Sequence, residues 1–166
     1  MAATAVLLSA AAATAIETRA QSVEESGGAN DAAVRSLWST LDAAWNERDA
    51  RRFSDLFTVD ATFVFVDRRQ ALEGRATIRE LFEERFPQFA DDLRHLTTVG
   101  RIHTVAPDVL TVDGGVEILR LGPGEGTEPA TVRTFAIFAV MLRTPEGWRI
   151  RALRVYQLLA ATADAE

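Results

Sequence analysis

Apolar residues recur first at the spacing of helices and then at the spacing of strands. Five of them lie three, one, three and four residues apart, which predicts one buried face of a helix: Val34, Leu37, Trp38, Leu41 and Trp45. Asp49 and Asp60 flank a second, shorter helix and are interpreted as caps. The apolar side of that second helix consists of Phe53, Leu56 and Phe57.

The rest of the pattern predicts one strand, a third helix and four long strands. Residues 61–66 alternate and are rich in β-branched and aromatic side chains, whereas 67–70 form a polar turn. The third helix follows Gly74 and is interrupted by Pro87 near its end. The last strands are predicted at 97–105, 109–121, 130–143 and 148–159. Their short connections indicate antiparallel neighbours, so we expect an α+β domain with helices packed on one face of a bent antiparallel sheet.

The first 30 residues differ from the remainder. Residues 2–16 carry no charge and precede small residues typical of a signal-peptide cleavage site, although they are too few to span a bilayer. The domain is expected to begin where Asn30 or Asp31 caps the first helix. The predicted segments are a signal peptide at 1–20, a linker at 21–30, the domain at 31–159 and a disordered tail at 160–166. We therefore expect export to the periplasm or the medium, with a cytoplasmic location as the alternative.

Composition excludes several classes of function. Acidic residues number 24 against 18 basic ones, and the basic residues are scattered, which disfavours a nucleic-acid partner. The chain has no cysteine, so disulfides, thiolate catalysis and cysteine-based metal sites are excluded. The two histidines, His95 and His103, lack the spacing of a metal site. We expect neither a metal nor another cofactor.

Five short motifs occur along residues 32–158: Trp45-Asn46 with Asp49, Leu56-Phe57 with Asp60-Ala61-Thr62-Phe63, Gly74-Arg75 with Ile78, Asp108-Val109, and Gly147-Trp148-Arg149-Ile150. In order and spacing they resemble the nuclear-transport-factor-2-like superfamily, in its SnoaL-like branch of small bacterial proteins. The resemblance implies a cone, in which a curved sheet wraps around the first helices and encloses an apolar pocket. Such families include ketosteroid isomerases, polyketide cyclases, dehydratases and non-catalytic binding or dimerisation modules, so the fold alone does not supply the function.

The steroid isomerases of this superfamily use a general base, a tyrosine donor and a second acid. The resemblance implies that the corresponding positions in this sequence are Phe65, Leu41 and a residue near Phe138. All three residues are apolar here, and an apolar side chain can neither remove a proton nor stabilise an enolate, so that mechanism is disfavoured.

The same resemblance predicts which strand residues face the pocket, because every second residue shares a face. The inward sets are Phe63, Phe65 and Asp67; Ala136, Phe138 and Val140; and Trp148, Ile150, Ala152, Arg154 and Tyr156. The side chains expected to line a ligand are Leu41, Phe63, Phe65, Phe138, Ala152, Arg154 and Tyr156.

Four polar residues remain as catalytic candidates. Asp67 or His103 would act as a base, and Tyr156 or Arg154 would polarise an oxygen atom. Each also has a structural interpretation. Arg154 would lie at the rim and pair with a surface acid, Asp67 would belong to a solvated turn, His103 would be a structural strand residue and Tyr156 a rim aromatic.

The sequence therefore favours a domain that binds a small apolar or amphipathic molecule. One alternative is an isomerase, cyclase or dehydratase acting on a polyketide-like or steroid-like carbonyl compound, and another is a non-catalytic dimerisation or interaction module. The residues predicted to face outward are also apolar: Phe135, Ile137, Ala139, Met141, Leu153 and Val155. We expect this outer sheet face to form a homodimer.

Overall fold

The part of the chain that the computed structural model describes, residues 10–123 and 127–158, consists of three α-helices and six β-strands. The helices are α1 (Ala10–Asn46), α2 (Ala50–Ser54) and α3 (Arg75–Arg85), and a 3-10 turn (Phe86–Gln88) extends α3. The strands are β1 (Phe57–Phe65), β2 (Gln70–Glu73), β3 (Leu93–Ala106), β4 (Val109–Arg120), β5 (Ala130–Thr144) and β6 (Gly147–Leu158). The α+β class is confirmed, and so are the four long strands of the second half.

The strands form one sheet in the order β2-β1-β6-β5-β4-β3. The prediction of a purely antiparallel sheet is wrong at one pair, because β1 runs parallel to β6. Short connections imply antiparallel neighbours only for strands that are consecutive in the chain, and β1 and β6 are separated by the rest of the domain. The sequence pattern also missed β2, which pairs antiparallel with β1 directly after the predicted polar turn.

The first helix is longer than the sequence pattern predicted. It begins at Ala10 and not at Asn30 or Asp31, and the expected linker 21–30 lies within it. Alanine is the best helix former, so the Ala-rich start favours helix, and the two glycines in the linker cost only about 1 kcal/mol each. Residues 1–9 and 159–166 lie outside the described residues, so the signal peptide and the tail stay predictions.

The predicted helical face forms the centre of the core. Its five residues are all buried, with exposed fractions of 7 % or less. Asp49 caps α2 as expected, since its Oδ1 accepts from the backbone N–H of Arg52 at 2.8 Å. The second expected cap is wrong: Asp60 lies within β1 and forms an ion pair with Arg151 at 3.3 Å.

The predicted faces of β5 and β6 need correction. On β5 the buried residues are Ile137, Ala139 and Met141, so the set expected to face outward faces the core. Ala136, Phe138 and Val140 lie on the opposite face, because neighbouring residues of a strand alternate. The family resemblance places Phe138 on the inner face. The predicted alternation along β5 is therefore one residue out of register with the observed one.

On β6 the alternation changes part-way along the strand. Trp148 and Ile150 are buried, as predicted. Opposite Val140 and Met141 the register shifts by one residue, which is the effect of a β-bulge at Arg151. Beyond the bulge Leu153 is buried, whereas the predicted inward residues occupy the outer face: Ala152, Arg154 and Tyr156.

Close packing between β3 and β4 explains the Gly114-Gly115 pair. A Cβ atom at Gly114 would lie 2.5 Å from the carbonyl oxygen of Thr98, which is too close for any side chain. A Cβ atom at Gly115 would lie 3.6 Å from the carbonyl oxygen of Phe135, an ordinary contact. The strand pair is irregular directly beside this point, with a register shift between Val99 and Ile102.

We predict that Gly114→Ala lowers the free energy of unfolding by about 2–3 kcal/mol, because the backbone of β3 or β4 has to move. The matched control Gly115→Ala changes it by about 1 kcal/mol or less. Urea denaturation followed by tryptophan fluorescence measures both. Equal effects of the two substitutions would contradict the account.

Candidate functional site

The inner face of the sheet is closed at one end and open at the other. At the closed end a row across four strands is fully buried: Leu110, Met141, Ile150 and Phe57. Toward the other end the inward apolar side chains become half-buried: Phe65, Ile118, Phe135 and Val155. The inward side chains at this end are therefore less covered than those at the closed end, and we call it the open end. It lies at the N-terminal part of β3 and the C-terminal parts of β1 and β6.

Helix α1 crosses the open end and bonds the free edge of β3. Asn46 and His95 exchange two hydrogen bonds: the backbone N–H of His95 donates to Oδ1 at 2.7 Å, and Nδ2 donates to the His95 carbonyl at 3.1 Å. One turn earlier on α1, Oδ2 of Asp42 accepts from the backbone N–H of Thr97 at 2.9 Å. These bonds satisfy strand groups that have no strand partner.

Asp42 and His95 form a polar pair among apolar side chains. Oδ1 of Asp42 lies 2.7 Å from Nδ1 of His95, and the hydroxyl of Thr97 donates to the same oxygen at 2.6 Å. The side chains of His95 and Asp42 are only 11 % and 15 % exposed. A carboxylate is an acceptor only, so Nδ1 carries the proton of this bond, and in the neutral ring Nε2 is left as the basic nitrogen.

Two tryptophans of α1 flank this pair. The ring of Trp45 lies 5.2 Å from the imidazole of His95 and stacks on Phe89 at 5.3 Å. Trp38, one turn before Asp42, has a buried indole N–H that donates to none of the described residues. The imidazole is thus held by the carboxylate and by an aromatic ring, and an indole donor with no acceptor among the described residues lies one helical turn from the carboxylate.

On the opposite wall of the open end, two arginines surround one aromatic ring. The guanidinium of Arg85 lies 5.1 Å from the ring centre of Phe65, and that of Arg68 lies 5.9 Å from it. Nη2 of Arg85 also donates to Oε1 of Gln70 at 3.1 Å. Burial, together with the positive charge of Arg68, lowers the pKa of Arg85.

The polar candidates predicted from sequence do not converge. His103 is opposite Thr111 on the outer face, Arg154 is opposite Phe138 and Tyr156 is opposite Ala136. His103 and Arg154 lie three strands apart, which is about 14 Å at the usual strand spacing.

Asp67, the fourth polar candidate, is exposed and accepts a hydrogen bond from the backbone N–H of Gln157. Its carboxylate therefore holds the end of β6 against the turn after β1. The four polar candidates are thus spread over the outer face and the end of the sheet at which β1 and β6 finish.

The apolar candidates divide between the two faces. Leu41 and Phe63 are buried in the core, and Phe65 lies at the open end, so these three lie on the predicted side. Phe138 and Ala152 lie on the outer face with Arg154 and Tyr156.

Sequence reasoning missed Asp42 and His95, although one signal was present. Asp42 lies four residues after Trp38 and three before Trp45, which places a carboxylate next to the apolar face of α1. A buried carboxylate needs a partner, so its position could have indicated a site. The identity of that partner could not be read from the sequence, because it lies 53 residues away on β3.

A separate groove of about 620 Å³ lies on the outside, where α1, α2 and the 3-10 turn meet. Three of its four acidic side chains are already engaged. Glu47 is paired with Arg52, Glu83 with Arg79, and Asp49 caps α2. We therefore place the candidate site at the open end and not in this groove.

Across 10–123 and 127–158, no three histidine or acidic side chains are grouped as metal ligands would be. In the same ranges, no helix has both the length and the apolar character that crossing a membrane requires.

The sequence profile of the SnoaL-like domain matches residues 29–154, so the chain belongs to the SnoaL-like family. This confirms the resemblance drawn from the five motifs. Among curated proteins, none matches the chain in sequence.

Solved structures with related folds include several bacterial proteins. A nuclear-transport-factor-2-like protein with a cystatin-like fold from Novosphingobium aromaticivorans is 24% identical, with a TM-score of 0.67 over 92% of this chain and 93% of that chain. A proposed scytalone dehydratase from the same organism is 11% identical, with a TM-score of 0.70 over 86% and 93%. A ketosteroid isomerase-like protein from Erwinia carotovora is 13% identical, with a TM-score of 0.58 over 78% and 96%. At these identities the likeness concerns the fold, which is the nuclear-transport-factor-2-like one.

Proposed function

We propose that this SnoaL-like domain binds a small, largely apolar carbonyl compound at the open end and catalyses proton transfer on it, as a dehydratase or isomerase. One observation supports the proposal: an imidazole, hydrogen-bonded to a carboxylate at 2.7 Å, lies at the end of the sheet where the inward apolar side chains are only half-buried. Convergent polar groups in an apolar concavity are the usual form of a small-molecule site. The names of two structural relatives, a proposed scytalone dehydratase and a ketosteroid isomerase-like protein, agree with this class of reaction.

The roles follow from the hydrogen bonds. Asp42 keeps the proton of His95 on Nδ1 and stabilises the imidazolium that forms when Nε2 takes up a second proton. Thr97 fixes the orientation of the carboxylate through its N–H and its hydroxyl. His95 is the proposed catalytic residue, and Asp42 and Thr97 are positioning residues.

A β-hydroxy ketone illustrates the proposed step. Nε2 of His95 removes a proton from the carbon between the carbonyl and the carbon that bears the hydroxyl group. The released electron pair forms the new C=C bond, and the bond to the hydroxyl group breaks. The hydroxide takes the proton back from His95 and leaves as water, so no oxidant or reductant is needed.

A second proposal concerns the outer face of the sheet. The residues of β5 on this face are Ala136, Phe138 and Val140, next to Ala152 on β6. The buried residues of α1 and α3 belong to the core on the other side of the sheet. Among the described residues, neither helix therefore covers the outer face with its buried side chains. We propose that a second copy of the chain covers it. The residues of this interface differ from those expected from sequence, since the faces of β5 are exchanged.

Activity can be tested with 3-hydroxy-1-tetralone, a β-hydroxy ketone that loses water to give fluorescent 1-naphthol. We expect the protein to accelerate this reaction, and His95→Asn to lower kcat/KM by about 100-fold or more because the general base is lost. Asp42→Asn is expected to lower it by about 10-fold to 100-fold, as positioning partners do. The control is His103→Asn, an exposed histidine on the outer face, which leaves the rate unchanged. Wild-type rates in His95→Asn, or no acceleration by the wild type, would contradict the proposal.

The oligomeric state can be measured by light scattering during size-exclusion chromatography. We expect the full chain to run as a dimer, at twice its mass of 18.2 kDa. Phe138→Asp should give a monomer with an unchanged circular dichroism spectrum, because a charge on the interface is not solvated. Val59→Asp is the control, since Val59 is 76% exposed on β1. A monomeric wild type at micromolar concentration would refute the dimer.

A further inference from the structure

The open end has a second polar feature that the proton-transfer step does not use. The guanidiniums of Arg68 and Arg85 both lie within 6 Å of the Phe65 ring centre, at 5.9 and 5.1 Å. Phe65 is the last residue of β1 and is half-buried, so its ring forms part of the wall of the open end. Two cations therefore converge on one aromatic surface at the open end.

Neither arginine forms an ion pair with the residues that the structure describes, although the negative charge of Glu84 partly counteracts the lowering of the Arg85 pKa. Every described ion pair involves other side chains, and the hydrogen-bond partner of Arg85 is the neutral amide of Gln70. Other exposed arginines of the same region are paired: Arg79 on α3 lies 2.6 Å from Glu83. Like charges that share a partly buried surface repel each other, and an anion between them removes this cost.

The two arginines and the Asp42–His95 pair lie on opposite sides of the open end. Phe65 is on β1 and His95 is on β3, four strands away in the sheet order, which is about 19 Å along a flat sheet and less across the inner face of a curved one. Between them the wall consists of apolar side chains: Val155, Phe135 and Ile118. A ligand that reaches from the arginines to the imidazole therefore has an apolar body, with an anionic group at one end.

We propose that the ligand of the open end is an aromatic or similarly flat compound that carries an anionic oxygen group, such as a carboxylate. Its ring system lies along Phe65 and the apolar wall, and its anionic group is bound by Arg85 and Arg68. A guanidinium is suited to this role because its N–H groups match the geometry of a carboxylate. This inference rests on the proposed function, whose substrate class it narrows from carbonyl compounds in general to anionic ones.

The test uses two fluorescent probes of the same skeleton, 8-anilinonaphthalene-1-sulfonate and N-phenyl-1-naphthylamine, which differ only by the sulfonate. We expect the full-length protein to bind the anionic probe more tightly. Arg85→Gln should weaken that binding about tenfold, the loss expected for one charge-assisted contact, and leave the neutral probe within about twofold. Glutamine removes the charge and keeps a polar side chain beside Gln70. Arg68→Gln, at an exposed position, should act in the same direction.

The matched control is Arg79→Gln, which removes a guanidinium from the same helix and should change neither affinity. Equal loss of both probes in Arg85→Gln, or equal effects of Arg79→Gln and Arg85→Gln, would overturn the inference. Turnover of 3-hydroxy-1-tetralone by wild type and His95→Asn separates the inference from the proposed function, because this neutral substrate reports on the imidazole and the two probes report on the arginines. Arginine-dependent binding without His95-dependent turnover would refute only the catalytic proposal. His95-dependent turnover without preference for the anionic probe would refute only the anion site.

Discussion

The structure depends on how the free edge of β3 is satisfied. A strand at the edge of a sheet has backbone groups without partners, and they recur at every second residue. Here side chains from α1 and the turn after it bond them: Arg35 to Val99, Asp42 to Thr97, Asn46 to His95 and Arg48 to Leu93. The helix thus takes the place of a seventh strand. This arrangement requires polar residues on the side of α1 that faces the sheet, next to its buried apolar face.

The same requirement explains why a polar pair lies inside an apolar domain. Asp42 is held by three hydrogen bonds from two residues, and the backbone of His95 is held by Asn46 on both its N–H and its carbonyl. The imidazole therefore has little freedom, and its orientation is set before any ligand binds. Fixed orientation of this kind is what acid–base chemistry needs, because a proton donor or acceptor that must reorganise during the reaction loses much of its effect.

Most of the elements could be predicted from the sequence, whereas the faces of the last strands could not. The helical face of α1 and the four long strands follow from local periodicity, which the structure confirms. The orientation of Arg154 and Tyr156 depends on a bulge at Arg151, and one extra residue reverses every later side chain on the strand. The Asp42–His95 pair depends on the packing of α1 on β3. This contact joins distant parts of the chain, and local periodicity does not predict such contacts. Phe65 was placed correctly, because β1 remains regular from Ala61 to its end.

The central claim is that Asp42 fixes the proton of His95 on Nδ1 and leaves Nε2 available at the open end. Long-range ¹H–¹⁵N NMR of the two histidines, at a pH where both rings are neutral, tests it most directly. The account predicts a protonated Nδ1 and a bare Nε2 for His95, lost in Asp42→Asn. The exposed ring of His103, which has no such partner among the described residues, serves as the internal reference for an unconstrained imidazole. A His95 with its proton on Nε2, or with the same tautomer mixture as His103, would contradict the account.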